Sequence, residues 1–192
     1  MQETKKINKE DKTKYLMADA VKTCMRTTPV EDITVRQIAE VSGLTRQTFY
    51  RHFKDKNDLI NWYFDIILHE SFERMGQGET IYDGLLRKFN YIKEEALFFS
   101  AGFRNDEQNN LKDHDFRMIH DFYRNMIHDK TGEYPDTFTD SVLEMYCQSS
   151  VYMTVKWVLN DMPSSPKELA DIMIAAMPPS LAEQFEKLHV LG

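Results

Sequence analysis

The sequence has very little cysteine, since Cys24 and Cys147 are the only two in 192 residues. They lie far apart, each within an apolar helical pattern. Two cysteines so placed neither build a disulfide framework nor match the ligand spacing of a metal site. We therefore expect two buried thiols, because free cysteine is among the most buried residue types.

Glycine, proline and long apolar runs are scarce as well. The seven glycines and six prolines leave room for long uninterrupted elements, which favours helices. No segment reaches about 18 consecutive apolar residues, and the first residues, MQETKKINKEDKTKY, contain no apolar signal core. These absences predict a cytoplasmic protein with no membrane partner.

The charge is unevenly distributed along the chain. Residues 1–60 hold 12 Lys and Arg against 9 Asp and Glu, a net charge of +3, whereas residues 61–192 carry -10 of the total of -7. This asymmetry predicts an N-terminal unit with an anionic partner and a C-terminal unit without one. The overall acidity does not exclude nucleic acid, because electrostatic steering depends on the local field.

The hydrophobic periodicity is helical throughout, and no stretch alternates with the period of a strand. Thr34, Thr45 and Asp55 are placed as N-caps of three successive helices. The predicted helices cover residues 12–26, 35–41, 45–52, 55–75, 81–103, 113–128, 138–160 and 167–177. The polar segment GQGET, residues 76–80, is typical of a domain joint. We expect an all-α protein, with a helix-turn-helix domain over residues 1–60, a connecting helix to about residue 75, and a larger helical bundle over residues 76–192.

The segment GLTRQTFYRHFKDK, residues 43–56, gathers basic and aromatic side chains. Two short helices joined by a tight turn at Ser42-Gly43 form a helix-turn-helix pattern. Phe49 and Phe53 share the inner face of the second helix, which leaves its polar residues outward. Arg and Gln can form paired hydrogen bonds with base edges, while Tyr, His and Lys can hold phosphates. A solvated helix end is the alternative, since cations stabilise a helix C-terminus, and this segment alone leaves both interpretations open.

Residues 33–60, ITVRQIAEVSGLTRQTFYRHFKDKNDLI, resemble the DNA-binding signature of the TetR/AcrR-type transcriptional regulators. The matching positions are Thr34, Ile38, Ala39, Gly43, Thr48, Tyr50, His52, Phe53, Lys56 and Leu59. The segments RQTFYRHFKDKNDLI and WVLNDMPSSPKELA further resemble a subgroup that includes activators of dihydroxyacetone kinase operons. One departure is the link TTPVED between the first two helices, which replaces the usual glycine-containing link.

The resemblance implies roles for individual residues. It implies base reading by Arg36, Arg46, Gln47 and Tyr50, phosphate binding by Thr34, Thr48, His52 and Lys56, and either role for Arg51; Thr45 and Lys54 complete the expected DNA-contact set. The implied partner is double-stranded DNA carrying a palindromic operator, which a homodimer would bind through two recognition helices.

The predicted C-terminal bundle offers candidates for a ligand pocket and for a dimer interface. Aromatic side chains that could line a pocket are Tyr91, Phe98, Phe99, Phe103, Phe122, Tyr123 and Tyr146, although such stripes are more often plain core. The helix over residues 138–160 is apolar around most of its circumference, which indicates burial on several sides. It is either a central core helix or, as the resemblance implies, part of a dimer interface that it shares with the next helix through Tyr146, Ser149, Ser150, Met153, Trp157, Leu169, Ile172 and Met173.

The sequence offers little support for catalysis. The pairs His114-Asp115, His120-Asp121 and His128-Asp129 place histidines six and eight residues apart, whereas ligands on one helical face need a spacing of three or four. A glycine-rich phosphate loop and a nucleophile elbow are both missing. We therefore predict no metal, no cofactor and no enzyme activity. The predicted function is a sequence-specific transcriptional regulator, modulated through its C-terminal domain by a small molecule or a protein partner; the alternatives are a protein-interaction module and, less favoured, an enzyme.

Overall fold

The computed structural model describes residues 9–104 and 110–192, where the chain forms ten α-helices and no β-strand. These are α1 (Lys9–Met25), α2 (Val35–Ser42), α3 (Arg46–His52), α4 (Lys56–Phe72), α5 (Ile81–Glu94), α6 (Ala96–Arg104), α7 (Leu111–Thr131), α8 (Thr137–Leu159), α9 (Pro166–Ala175) and α10 (Pro179–Lys187). The prediction of an all-α protein is confirmed. None of the described helices combines the length and the apolar character needed to cross a bilayer.

Local capping fixes where the helices of the N-terminal domain begin. The Thr34 side chain accepts a hydrogen bond from the backbone N–H of Gln37, and the Thr45 side chain accepts one from Thr48. The Asp55 carboxylate accepts two, from the first turn of α4. These bonds satisfy amide groups that have no partner within the helix, so the three helix starts expected from the sequence are confirmed.

Two features of the C-terminal half differ from the sequence-based expectation. The single helix expected over residues 81–103 is divided at Glu95, which has non-helical backbone angles and turns its carboxylate toward Lys22 of α1. Helix α10 was not predicted, since the helices expected from the sequence end at residue 177. Proline is tolerated in the first turn of a helix, and Leu181 and Phe185, one turn apart, are buried.

Helix α4 connects the two halves of the molecule through one continuous core. Its Trp62 packs against Phe53 with ring centroids 5.6 Å apart, while its Phe64 packs against Phe99 of α6 at 5.5 Å. Its Asp65 pairs with His114 of α7. The hydrogen bond with Asp65 raises the pKa of His114 above its usual value and thereby favours the charged imidazolium.

A buried ion pair lies inside the C-terminal bundle. Lys88 of α5 and Asp115 of α7 are 3% and 1% exposed, and the Lys88 ammonium lies 3.1 Å and 3.3 Å from the two carboxylate oxygens. Because loss of either partner would leave an uncompensated buried charge, the pair fixes α5 against α7. Cys24 and Cys147 are both buried free thiols, as expected.

Candidate nucleic-acid interface

The turn between α2 and α3 depends on a left-handed glycine. Gly43 has φ of +70°, and the N–H of Leu44 donates to the carbonyl of Ala39 at 3.0 Å, which closes the end of α2. Glycine adopts this conformation without the steric cost that a Cβ imposes. The turn reverses the chain so that only three residues separate the end of α2 from the start of α3.

The inner face of α3 anchors the helix to the core of the domain. Phe49 is 1% exposed and Phe53 is 4% exposed, and their rings lie 5.8 Å apart. A helix of seven residues is not stable in isolation, so this burial holds it in place. The apolar face is therefore used for folding and the opposite face is left to solvent.

The outer face of α3 presents Arg46, Gln47, Tyr50 and Arg51, all of them exposed. Tyr50 is 59% exposed, and its ring edge contacts Phe49. The side chains of Arg46, Gln47 and Arg51 form no hydrogen bond or ion pair with any other residue that the structure describes. Their donors are available to base edges and phosphates, and the structure brings these predicted contact residues together on one surface.

Arg36 lies on α2 beside this surface and is already paired. Its Nε lies 2.8 Å from Oε1 of Glu40, one turn along the helix, and both side chains are exposed. The hydrogen bond to Glu40 raises the pKa of the Arg36 guanidinium. Any contact between Arg36 and a base requires this ion pair to open or turn, so base reading by Arg36 stays a prediction.

Two of the three threonines of the predicted site, Thr34 and Thr45, are helix N-caps, and the third, Thr48, contacts Thr45. The Thr34 hydroxyl donates to Oε1 of Gln37 at 2.9 Å, so its proton is occupied. The hydroxyls of Thr45 and Thr48 lie 2.9 Å apart. Since one proton satisfies that contact, the other remains available to a phosphate oxygen.

Lys56 has a structural role that the resemblance did not imply. Its ammonium donates to the carbonyl oxygens of Val30 and Glu31 at 2.6 Å and 2.5 Å. Burial lowers the pKa of this lysine. These bonds tie α4 to the 3-10 turn Val30–Asp32, which is the part of the chain where TTPVED departs from the family pattern. They use two of the three donors of the ammonium, so the expected phosphate contact stays a prediction. The two carbonyl partners lie 25 and 26 residues away along the chain, and no sequence pattern predicts such a contact.

The other two basic residues of the segment, His52 and Lys54, lie at the end of α3. His52 is half-buried, whereas Lys54 is exposed and uses only its backbone N–H, which donates to Asp58 at 2.9 Å. The Lys54 ammonium is therefore better placed for a phosphate than that of Lys56.

The aromatic residues predicted to line a pocket do not form one group. Phe98, Phe99 and Phe103 are at most 1% exposed and pack, edge-on or tilted, against one another and against α4. Tyr123 packs against Tyr146 and Phe185 in a second cluster. Phe122 stacks on Phe72 beside a groove between α7 and the joint after α4, and Tyr91 borders a different groove on α5. In the described part of the chain the seven residues line no single cavity, because most of these rings pack into the core. A ligand pocket in this domain stays a prediction.

The expected dimer surface also needs correction. Tyr146, Trp157, Leu169 and Met173 are no more than 4% exposed, and the Tyr146 hydroxyl donates to the Met173 carbonyl at 3.0 Å. These side chains are enclosed in their own protomer and are not available to a second copy. Of the remaining expected residues, Ser149 and Ile172 are exposed and Ser150 and Met153 are half-buried.

A different set of side chains on α8 faces solvent. Phe138, Met145 and Tyr152 are 71%, 74% and 65% exposed. They occur at intervals of seven residues, which places them along one side of the helix. That spacing is visible in the sequence, but the helix is apolar on so many sides that the sequence does not show which stripe lies outside.

Comparisons with known proteins agree with this geometry. Residues 19–62 match the family model described as bacterial regulatory proteins, tetR family, and residues 79–178 match one described as transcriptional regulator C-terminal region. The chain is 27% identical over 95 residues to the HTH-type dhaKLM operon transcriptional activator DhaS of Lactococcus lactis, an alignment that covers 47% of this chain and 49% of DhaS. The alignment thus spans about half the length of this curated relative.

Solved structures show the same fold. The structure of the dihydroxyacetone kinase operon activator DhaS superposes with a TM-score of 0.70 at 19% identity, over 91% of this chain and 97% of that one. A TetR transcriptional regulator from Rhodococcus sp. RHA1 gives a TM-score of 0.52 at 17% identity, over 89% and 100% of the two chains.

The different positions of Lys54 and Lys56 lead to a testable separation of roles. Lys56→Ala removes the donor to two carbonyls and should lower the free energy of unfolding by about 1 kcal/mol or more. Lys54→Ala should leave stability unchanged but weaken DNA binding and reduce the salt slope by about one. Urea unfolding and DNA titrations at several salt concentrations measure both effects. Equal stability losses in the two variants would contradict the assignment.

Proposed function

Because the chain belongs to the TetR family of bacterial regulatory proteins, we propose that it binds a palindromic operator as a homodimer and reads it through the outer face of α3. The family makes it a DNA-binding transcriptional regulator rather than an enzyme. The observation that supports the reading surface most directly is the exposed face of α3, where Arg46, Gln47 and Arg51 have no partner among the described residues. A bacterial regulator that binds chromosomal DNA acts in the cytoplasm, and we infer the same location for this protein.

The apolar stripe of Phe138, Met145 and Tyr152 on α8 supports the homodimer. Large apolar side chains exposed along one side of a helix on a folded protein mark a surface that can associate. A second copy presents the same stripe, and a two-fold axis lets the two helices cover each other. The same axis would place two α3 helices before two half-sites of a palindrome.

The C-terminal domain supplies regulation in this proposal. It would respond to a small molecule or a protein partner, and the response would change the affinity or the activity of the regulator on DNA. The curated relative activates a dhaKLM operon, so promoters of dihydroxyacetone kinase genes are the first DNA to test.

Substitutions on α3 test the proposed reading surface. Arg46→Ala and Gln47→Ala should each cost about 1–3 kcal/mol of operator binding and relax the preference at one base position, since each removes a paired contact to a base. Fluorescence anisotropy with operator and scrambled DNA measures both effects. Arg117→Ala, which removes an exposed arginine of α7, serves as the control. Unchanged operator affinity in both α3 variants would reject this face as the reading surface.

A charge within the stripe on α8 tests the homodimer. Met145→Asp should convert the dimer to a monomer at micromolar concentration, because it would bury an unpaired carboxylate in the interface. Light scattering after size-exclusion chromatography gives the mass. Leu16→Asp places the same charge on a half-exposed leucine of α1 and should leave the mass unchanged. A Met145→Asp protein that stays dimeric would place the interface elsewhere.

A further inference from the structure

The two domains meet where α1 and α4 face the junction of α5 and α6. Lys22 lies on α1, Tyr63 on α4, and Glu95 between α5 and α6. The DNA-binding domain therefore contributes a cation, the connecting helix a hydroxyl, and the C-terminal domain a carboxylate. We refer to these three residues as the interdomain triad.

The interdomain triad is a closed triangle of hydrogen bonds. The Lys22 ammonium donates to the Tyr63 hydroxyl at 2.9 Å and to Oε1 of Glu95 at 2.9 Å, and the Tyr63 hydroxyl donates to the same Oε1 at 2.9 Å. The ammonium also lies 4.6 Å from the centroid of the Tyr63 ring. Each group contacts both of the others, so none can move alone without breaking two contacts.

The protonation states that this triangle needs hold through neutral pH. Burial lowers the pKa of Lys22, but hydrogen bonds to Tyr63 and Glu95 outweigh burial and the net pKa is raised. Burial is the main reason that the pKa of Tyr63 is raised to about 12. The lysine is therefore charged and the tyrosine keeps its proton in the range where DNA is bound.

The interdomain triad is partly open to solvent rather than sealed in the core. The side chains of Lys22 and Glu95 are 21% and 30% exposed, and a groove lined by residues of α1 and of the α5–α6 junction lies over them. Beneath it, the Tyr63 ring meets the ring of Phe98 on α6 edge to face at 5.1 Å. The hydrogen bonds of the interdomain triad therefore lie above the apolar contact between Tyr63 and Phe98, and they restrict the orientation of the two domains more than that contact does.

The geometry points to a positioning role. Apolar packing alone tolerates sliding of one helix over another, whereas three short, charge-assisted hydrogen bonds define one arrangement. We propose that the interdomain triad fixes each DNA-binding domain on the C-terminal body and so sets the distance and rotation between the two α3 helices of the dimer. This inference rests on the proposed function, because it requires two half-sites.

The test varies the spacing of the half-sites in the operator recovered by capture of genomic DNA with the wild-type protein. Each inserted base pair separates the half-sites by about 3.4 Å and rotates them by about 35°. DNA-binding domains that are held in one orientation cannot follow this change, so the wild-type protein should lose about tenfold or more in affinity for an operator with one inserted base pair.

Two variants weaken the interdomain triad: Tyr63→Phe removes the hydroxyl and Glu95→Gln removes the carboxylate charge. In both variants, one inserted base pair should lower operator affinity by only about threefold or less, while affinity for an isolated half-site is retained.

A matched control separates positioning from general loosening. Tyr82→Phe removes another hydroxyl that donates to a carboxylate, that of Asp171 at 3.0 Å, but both residues lie within the C-terminal domain. This variant should keep the wild-type spacing preference. Lys22→Glu alone should lose the spacing preference, because it places two carboxylates against each other. The double variant Lys22→Glu with Glu95→Lys reverses the ion pair and should restore part of that preference.

Two failures can be told apart. A wild-type spacing preference in folded Tyr63→Phe and Glu95→Gln proteins would overturn the positioning role alone, as would an equal loss of preference in Tyr82→Phe. A wild-type protein that is indifferent to spacing and binds isolated half-sites as tightly as the full operator would overturn the dimeric function, and with it this inference.

Discussion

The burial of Phe49 and Phe53 beneath α3 is the interaction on which the proposed DNA-binding surface depends. A seven-residue helix has little stability of its own, so its orientation is set by these two rings and by Trp62 behind Phe53. Because burial of the apolar face stabilises the helix, unpaired donors on the solvent-exposed face do not destabilise the core. The separation of the buried face from the exposed face on one short helix is what allows an acidic protein to present the basic surface proposed to read DNA.

Helix α4 extends that constraint into the rest of the molecule. It packs against the DNA-binding helices through Trp62 and against α6 through Phe64, and its Tyr63 joins both sides. A rearrangement of the C-terminal bundle that displaced α6 or Glu95 would therefore act directly on the orientation of the DNA-binding domain. Regulation in this account is a change of geometry between two rigid parts, and it requires no change within α3.

Local features of the fold could be predicted from the sequence, and contacts between distant residues could not. The caps at Thr34, Thr45 and Asp55 and the inward phenylalanines of α3 follow from spacing alone. The carbonyl partners of Lys56 and the division of a long helix at Glu95 depend on residues 25 to 73 positions away. The aromatic residues of the C-terminal bundle illustrate the same limit, because periodicity identifies apolar stripes but not which neighbour covers each one.

A cleavage reagent attached to the outer face of α3 would show directly whether this helix lies against the operator. Cys24 and Cys147 are buried, so an iron–EDTA group can be attached selectively at Gln47→Cys. The labelled protein is used at a concentration that offsets the weaker binding expected without Gln47, with Glu183→Cys on the exposed side of α10 as the control site. We expect the protein labelled at position 47 to cut the operator at two sites, symmetric about its centre and separated by about one helical turn or somewhat more. The protein labelled at position 183 should produce no such cleavage. An operator-bound protein that fails to cut from position 47, or that cuts equally from position 183, would contradict the claim that α3 reads the DNA.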